Sequence, residues 1–136
     1  MIKVLFSHLC EKAFLSQNGN LNVIGIFENI MAPQFPIVFP QLSIVTALQG
    51  NAGEHKQEIK IVNSASGEQL LQPISLNISI KESTKPIQNM RIIGDINNLS
   101  IKEPGDYEVQ IFLNGEKVYA IPFSAGKTVK PIPQGR

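Results

Sequence analysis

At 136 residues, with 43% hydrophobic and 17% charged side chains, the chain has the size and composition of one globular domain around a single core. Twelve Lys and Arg against eleven Asp and Glu give a formal net charge of +1, without the basic excess a general nucleic-acid binder needs. A single cysteine, Cys10, excludes an internal disulfide framework, and no apolar run approaches the ~18 residues of a membrane helix.

The opening "MIKVLFSHLC" holds only Val4-Leu5-Phe6 as an apolar patch, short of the ~7–15 residues of an export signal, and His8-Leu9 is wrong for a lipoprotein cleavage site. With one thiol and no export pattern, a reducing, cytoplasmic location is expected. This segment reads as a first strand near 2–10, followed by a short helical turn at Glu11 to Leu15. Next comes "NGNLNVIGIFENI" (18–30), with glycines at 19 and 25. A phosphate-binding loop needs G-x-x-x-x-G-K-[ST] ahead of a helix, and neither the spacing, the Lys nor the helix is present. Gly19 is therefore read as a turn residue with positive φ, and Gly25 as a strand glycine at a bulge or close packing within a strand at 21–29.

"APQFPIVFP" carries Pro33, Pro36 and Pro40, and three residues without an N–H donor exclude it from a central ladder. It is expected to be a crossover or edge segment. Its large apolar side chains Phe35, Ile37, Val38 and Phe39 form a partner-binding patch if exposed, or else Phe35 and Phe39 plug the open end of the fold. Further strands are expected at 41–49, 56–63, 69–80, 88–101 (broken at Gly94), 106–113 and 116–124. "ISLNISIK" is the cleanest of them: Ile74, Leu76, Ile78 and Ile80 alternate with polar residues, as on a half-buried antiparallel strand. In the last hairpin Asn114-Gly115 marks the turn. Two registers are possible: a two-residue loop pairing Leu113 with Glu116, or a three-residue loop pairing Phe112 with Glu116. Burial favours the second, which puts Tyr107, Val109, Ile111, Tyr119, Ile121 and Phe123 on one face. Tyr107 and Tyr119 are then expected near a sheet edge, hydroxyls reaching water or backbone.

Turn chemistry between runs of strand length predicts an all-β, antiparallel two-sheet sandwich of about eight strands, with immunoglobulin-like or C2-like topology as options. Residues 1–125 form the domain, and 126–136, basic and proline-containing with Lys127 and Lys130, an extended tail.

Chemistry-bearing residues are sparse. His8 and Cys10 share a face of one strand, but a metal site needs three or four ligands and only His55 and scattered carboxylates remain. Cys10, His55 and Asp95 assemble into a nucleophile set only on paper, with no elbow or helix N-terminus to activate the thiol. No catalytic, cofactor-binding or metal residue is assigned. The expected function is a non-enzymatic binding or assembly module acting through a strand edge, the Phe35–Phe39 segment or the tail. The alternative is a small metal- or thiol-dependent enzyme using His8, Cys10 and His55. A protein partner or self-association is expected, with neither nucleic acid nor membrane as partner.

The stretch "LCEKAFLSQNGNLNVIGIFENIMAPQFPIVFPQLSIVTAL", with the later "EPGDYEVQIFLNGEKVYAIPF", is similar to a family of small bacterial proteins of unknown function. Their chains run L-C-x-x-A, G-K-L-x-I-x-G-I-F, F-P, then G-x-Y-x-[FV]-x-[IV]-x-x-[DN]-G. The resemblance spans about residues 9–123 and implies a single β-sandwich domain. Asn20 stands where the family more often has Lys. The family brings no catalytic residues, so none is carried over.

Overall fold

Tyr107, Val109, Ile111 and Leu113 are all buried, and each residue between them is more exposed, so alternation in sequence becomes alternation in burial. The same rule builds nine strands in the computed structural model, which describes residues 1–128. They are β1 (Ile2–Leu15), β2 (Leu21–Ile26), β3 (Asn29–Ala32), β4 (Ile37–Gly50), β5 (Gly53–Asn63), β6 (Ile74–Ile80), β7 (Gln88–Ile101), β8 (Gly105–Leu113) and β9 (Glu116–Lys127). One sheet has the order β2-β1-β4-β7 and the other β3-β9-β8-β5-β6. All pairs are antiparallel except β3 with β9. With β4 and β7 in one layer, and β5 and β8 flanked by β9 and β6 in the other, the chain is an all-β immunoglobulin-like sandwich.

Several expectations are corrected. Glu11 to Leu15 is strand, because Lys12 to Leu15 pair with Ile24 to Leu21 of β2; a short apolar run does not choose between helix and strand until a partner does. The 21–29 run is two strands, since Phe27 and Glu28 cross from one sheet to the other: Phe27 N–H donates to Leu9 O, and Ser124 N–H to Glu28 O. The 69–80 run is strand only from Ile74, after Pro73, with Gln69 making a lone bridge to Val62. β7 is not broken at Gly94, whose backbone pairs with Ile44; its ladder is irregular at Asn98 (φ 57), where β4 presents Pro40 and neither residue joins the ladder. Pro40 is tolerated because β1 reaches only Ser43, so this end of β4 is paired on one side alone.

In the last hairpin, Leu113 pairs with Glu116, and Asn114 and Gly115 both have positive φ, a two-residue type I′ loop. The bulge falls farther along, between Ile111 and Phe112, and restores the face: Ile111 opposes Tyr119, Val109 opposes Ile121 and Tyr107 opposes Phe123. The expected inward set is therefore present, in a register shifted from the expected one. Tyr107 lies on an inner strand rather than near an edge. Its hydroxyl donates to Glu103 O, and its ring stacks on Phe123 at 5.5 Å, pinning the corner where the chain passes from β7 to β8.

The main core joins Leu9, Leu42, Ile44, Ile59, Ile61 and Val109 across the two layers, and a smaller cluster holds Leu48, Ile78, Ile80 and Leu113. Val4 packs against both, and polar side chains are buried as well. Ser7 Oγ donates to Val45 O at 2.9 Å and lies 3.1 Å from Thr46 Oγ1, while Gln57 on β5 is 1% exposed and its Nε2 has no partner among the described residues. A buried amide donor left unpaired costs about 1–3 kcal/mol. Gln57→Met, similar in length, is therefore expected to raise unfolding free energy by about 1–3 kcal/mol, read by urea denaturation with an unchanged m-value. A loss of stability would mean that the amide is held by contacts worth more than the missing bond.

Candidate functional site

The outer face of the four-stranded sheet is covered by its own hairpin. Gly25 has φ 69, and a Cβ there would lie 2.6 Å from Glu11 Cδ, so the strands fold over at this point with the Glu11 side chain in the vacant place. Beyond it Ala13, Leu21 and Val23 pack on Cys10, Val45 and Ile93, and Arg91 Nη1 donates to Gly19 O at 3.3 Å at the hairpin tip. Cys10 is fully buried here, its thiol 3.5 Å from Ser43 O. Burial pushes its pKa above the ordinary thiol value, with smaller upward contributions from Asp95 and Glu11 and an opposing hydrogen bond from the Lys12 backbone. Such a thiol is protonated and shielded at neutral pH.

Stability should depend on pH in consequence. The unfolded thiol ionises near the ordinary value of 9.0 while the folded one resists, so the stabilising contribution is complete below that pH and is lost as pH rises toward the folded pKa. Burial raises the Tyr107 hydroxyl in the same direction. Stability is expected to hold to about pH 9 and then fall. Cys10→Ala should flatten the first part of that decline, and an aromatic disulfide reagent should label Cys10 only on unfolding.

The fold does not collect the chemistry-bearing residues. Cys10, Ser43 and Asp95 form one row across β1, β4 and β7, with Ser43 Oγ donating to Asp95 Oδ1 at 2.6 Å. His55 lies on β5 in the other sheet, near Asn51 O and Asn114. His8 packs its ring on Phe6 at 5.4 Å and lines an open cleft of about 510 Å³ between β1 and β9, with Glu28, Asp106 and Tyr119. Among the described residues no group of three His, Cys, Asp or Glu side chains is placed to hold a metal. None of the described residues forms a helix long and apolar enough to cross a membrane.

In the proline segment, Phe35, Ile37 and Phe39 are half-buried against the main core, while Val38 is 60% exposed beside Met31 in a shallow depression of about 360 Å³. Lys127 ends β9 opposite Ala32 and is exposed; Lys130 lies outside the described residues.

Among the described residues, the longest strand edge without a partner belongs to β7. β7 is fourteen residues long, pairs with β4 along its length, and ends its sheet. The other edge strands, β2, β3 and β6, have six, four and seven residues. β7 contains neither Lys nor Pro, the residues that usually guard such an edge, and its outer face reads Asn89, Arg91, Ile93, Asp95, Asn97. Strand order is a non-local property, so the sequence gives no sign that this strand is an edge.

A family model matches residues 5–126. The chain belongs to DUF6941, a family of unknown function. No curated protein matches it. Among solved structures, it is similar to part of the Pseudomonas fluorescens alkylpurine DNA glycosylase AlkC, solved bound to DNA containing an abasic site analog. That match has 12% identity and a TM-score of 0.51, covering 92% of this chain and 30% of that one. It is also similar to part of the Listeria innocua β-glucosidase, solved with isofagomine, at 9% identity and a TM-score of 0.53, covering 92% of this chain and 17% of that one. The DUF6941 chain thus spans less than a third of either protein, and at these identities the likeness concerns the fold alone.

Proposed function

We propose that this DUF6941 chain is a non-enzymatic binding or assembly module of the bacterial cytoplasm, acting through protein–protein contacts along the free edge of β7. The observation that carries this reading is the length of the unpaired edge, fourteen residues of backbone with neither Lys nor Pro. Strand addition supplies affinity from main-chain hydrogen bonds, and the side chains on either face supply selectivity. The burial of Cys10 supports a packing role for that thiol over a nucleophilic one, and a single reduced cysteine suits a reducing compartment.

The test compares the wild-type chain with Asn89→Lys/Asn97→Lys, which places two charges at exposed positions of the edge. Light scattering and pull-down from host extract are expected to show self-association or a retained partner for the wild type only. A wild-type chain that stays monomeric and retains nothing, or a partner held equally by both forms, would overturn the reading.

A further inference from the structure

We propose that the partner at the β7 edge is a second copy of this chain, paired antiparallel about a two-fold axis through Ile93. The pairing rests on β7 being the contact edge and names what occupies it.

Side chains directly opposite in an antiparallel pair lie on the same face, so a two-fold pairing of a strand with itself must place one residue against its own twin. With Ile93 on the axis, Arg91 of each copy faces Asp95 of the other, and Asn89 faces Asn97. All five residues share the outer face, because their neighbours on β4 are Gln49, Ala47, Val45, Ser43 and Gln41. On the inner face Met90 would face Ile96, and the bulky Ile92 would face Gly94. The strand therefore reads as its own complement: opposite charges, amide against amide, large against small. Shifting the axis to Ile92 sets Arg91 against Ile93, and shifting it to Gly94 sets Asp95 against Ile93, so both neighbouring registers oppose a charge to an isoleucine.

Two structural facts agree with this centre. The regular ladder of β7 with β4 runs from Gln88 to Asn97 before the irregularity at Asn98, and an axis at Ile93 keeps the paired stretch, Asn89 to Asn97, within it. The charges also keep free capacity. Arg91 uses Nη1 on Gly19 O, leaving further guanidinium donors, and Asp95 accepts from Ser43 on Oδ1, leaving its second oxygen. Pairing would fuse the two four-stranded sheets into one continuous sheet.

Sedimentation equilibrium should show a dimer. Arg91→Asp alone and Asp95→Arg alone should each weaken dimerisation by about tenfold or more, since like charges then oppose at both symmetric positions, and the double exchange should restore it. Circular dichroism of each variant confirms folding. Independently, Ile93→Cys should form a covalent dimer on oxidation, its twin lying directly opposite. Asn89→Cys should not, its twin being roughly 27 Å away along the strand. A dimer indifferent to the charge exchange, or without the Ile93→Cys cross-link, overturns the proposed pairing. A monomer that holds a different protein, released by Asn89→Lys/Asn97→Lys, overturns the self-pairing and keeps the edge reading; a dimer unaffected by that variant overturns both.

Discussion

Ile111→Ala is expected to lower unfolding free energy by about 2–5 kcal/mol, the range for truncating a fully buried aliphatic side chain. Ile111 is 0% exposed on β8, an inner strand that lies opposite Ile59 of β5 on one side and Tyr119 of β9 on the other. Because both flanking strands hold the backbone, the site cannot close over the lost atoms, which argues for the upper half of that range. For a domain of this size the midpoint should fall by roughly 3–5 °C per kcal/mol. Ile24→Ala, at a residue 51% exposed on β2, should change stability by less than about 0.5 kcal/mol. Thermal unfolding of the pair checks the assignment of core and surface, and equal effects would refute it.

Gly25→Val is the second substitution with a large expected cost. The backbone there has φ 69, which a β-branched residue adopts only with strain of about 1–3 kcal/mol. The new side chain also enters the place of the Glu11 side chain, 2.6 Å from the Cβ position, so Glu11 must leave it. Gly19 has a similar φ of 79 with nothing within 4 Å, so Gly19→Val carries the backbone strain without the collision. Because Glu11 is an exposed, flexible side chain that can swing aside, Gly25→Val should be only modestly more destabilising than Gly19→Val. It should also speed thiol labelling of Cys10 under native conditions, because the fold-over at Gly25 keeps Ala13, Leu21 and Val23 over that thiol. Equal labelling rates in the two variants would show that the hairpin does not guard Cys10.

Much of the fold was legible in the sequence because strand formation leaves a local imprint. The alternation of Tyr107, Val109 and Ile111 fixed the inward face of β8, and Asn114-Gly115 fixed the turn after it. The register of that hairpin was harder, because a bulge at Ile111/Phe112 changes which residues pair without changing which face inward. The segment 11–15 misled for a related reason: a few apolar residues are compatible with either period until β2 lies alongside. The candidate edge had no local signature. "NMRIIGDIN" carries its charge symmetry in the sequence, but that symmetry means something only on a strand with one side unpaired.

By itself, then, the chain's sequence determined an all-β domain with its strands close to their final places, a single unpaired cysteine, and inner and outer faces for most strands, since side-chain period and turn chemistry act over a few residues. Tertiary structure decided which strands neighbour one another, that the β1–β2 hairpin folds over an outer face and buries Cys10, that Cys10 and His55 lie on different sheets, and that β7 ends one of them. Those outcomes depend on how two twisted sheets pack and on which backbone edges find partners, and both are set between residues far apart in the chain.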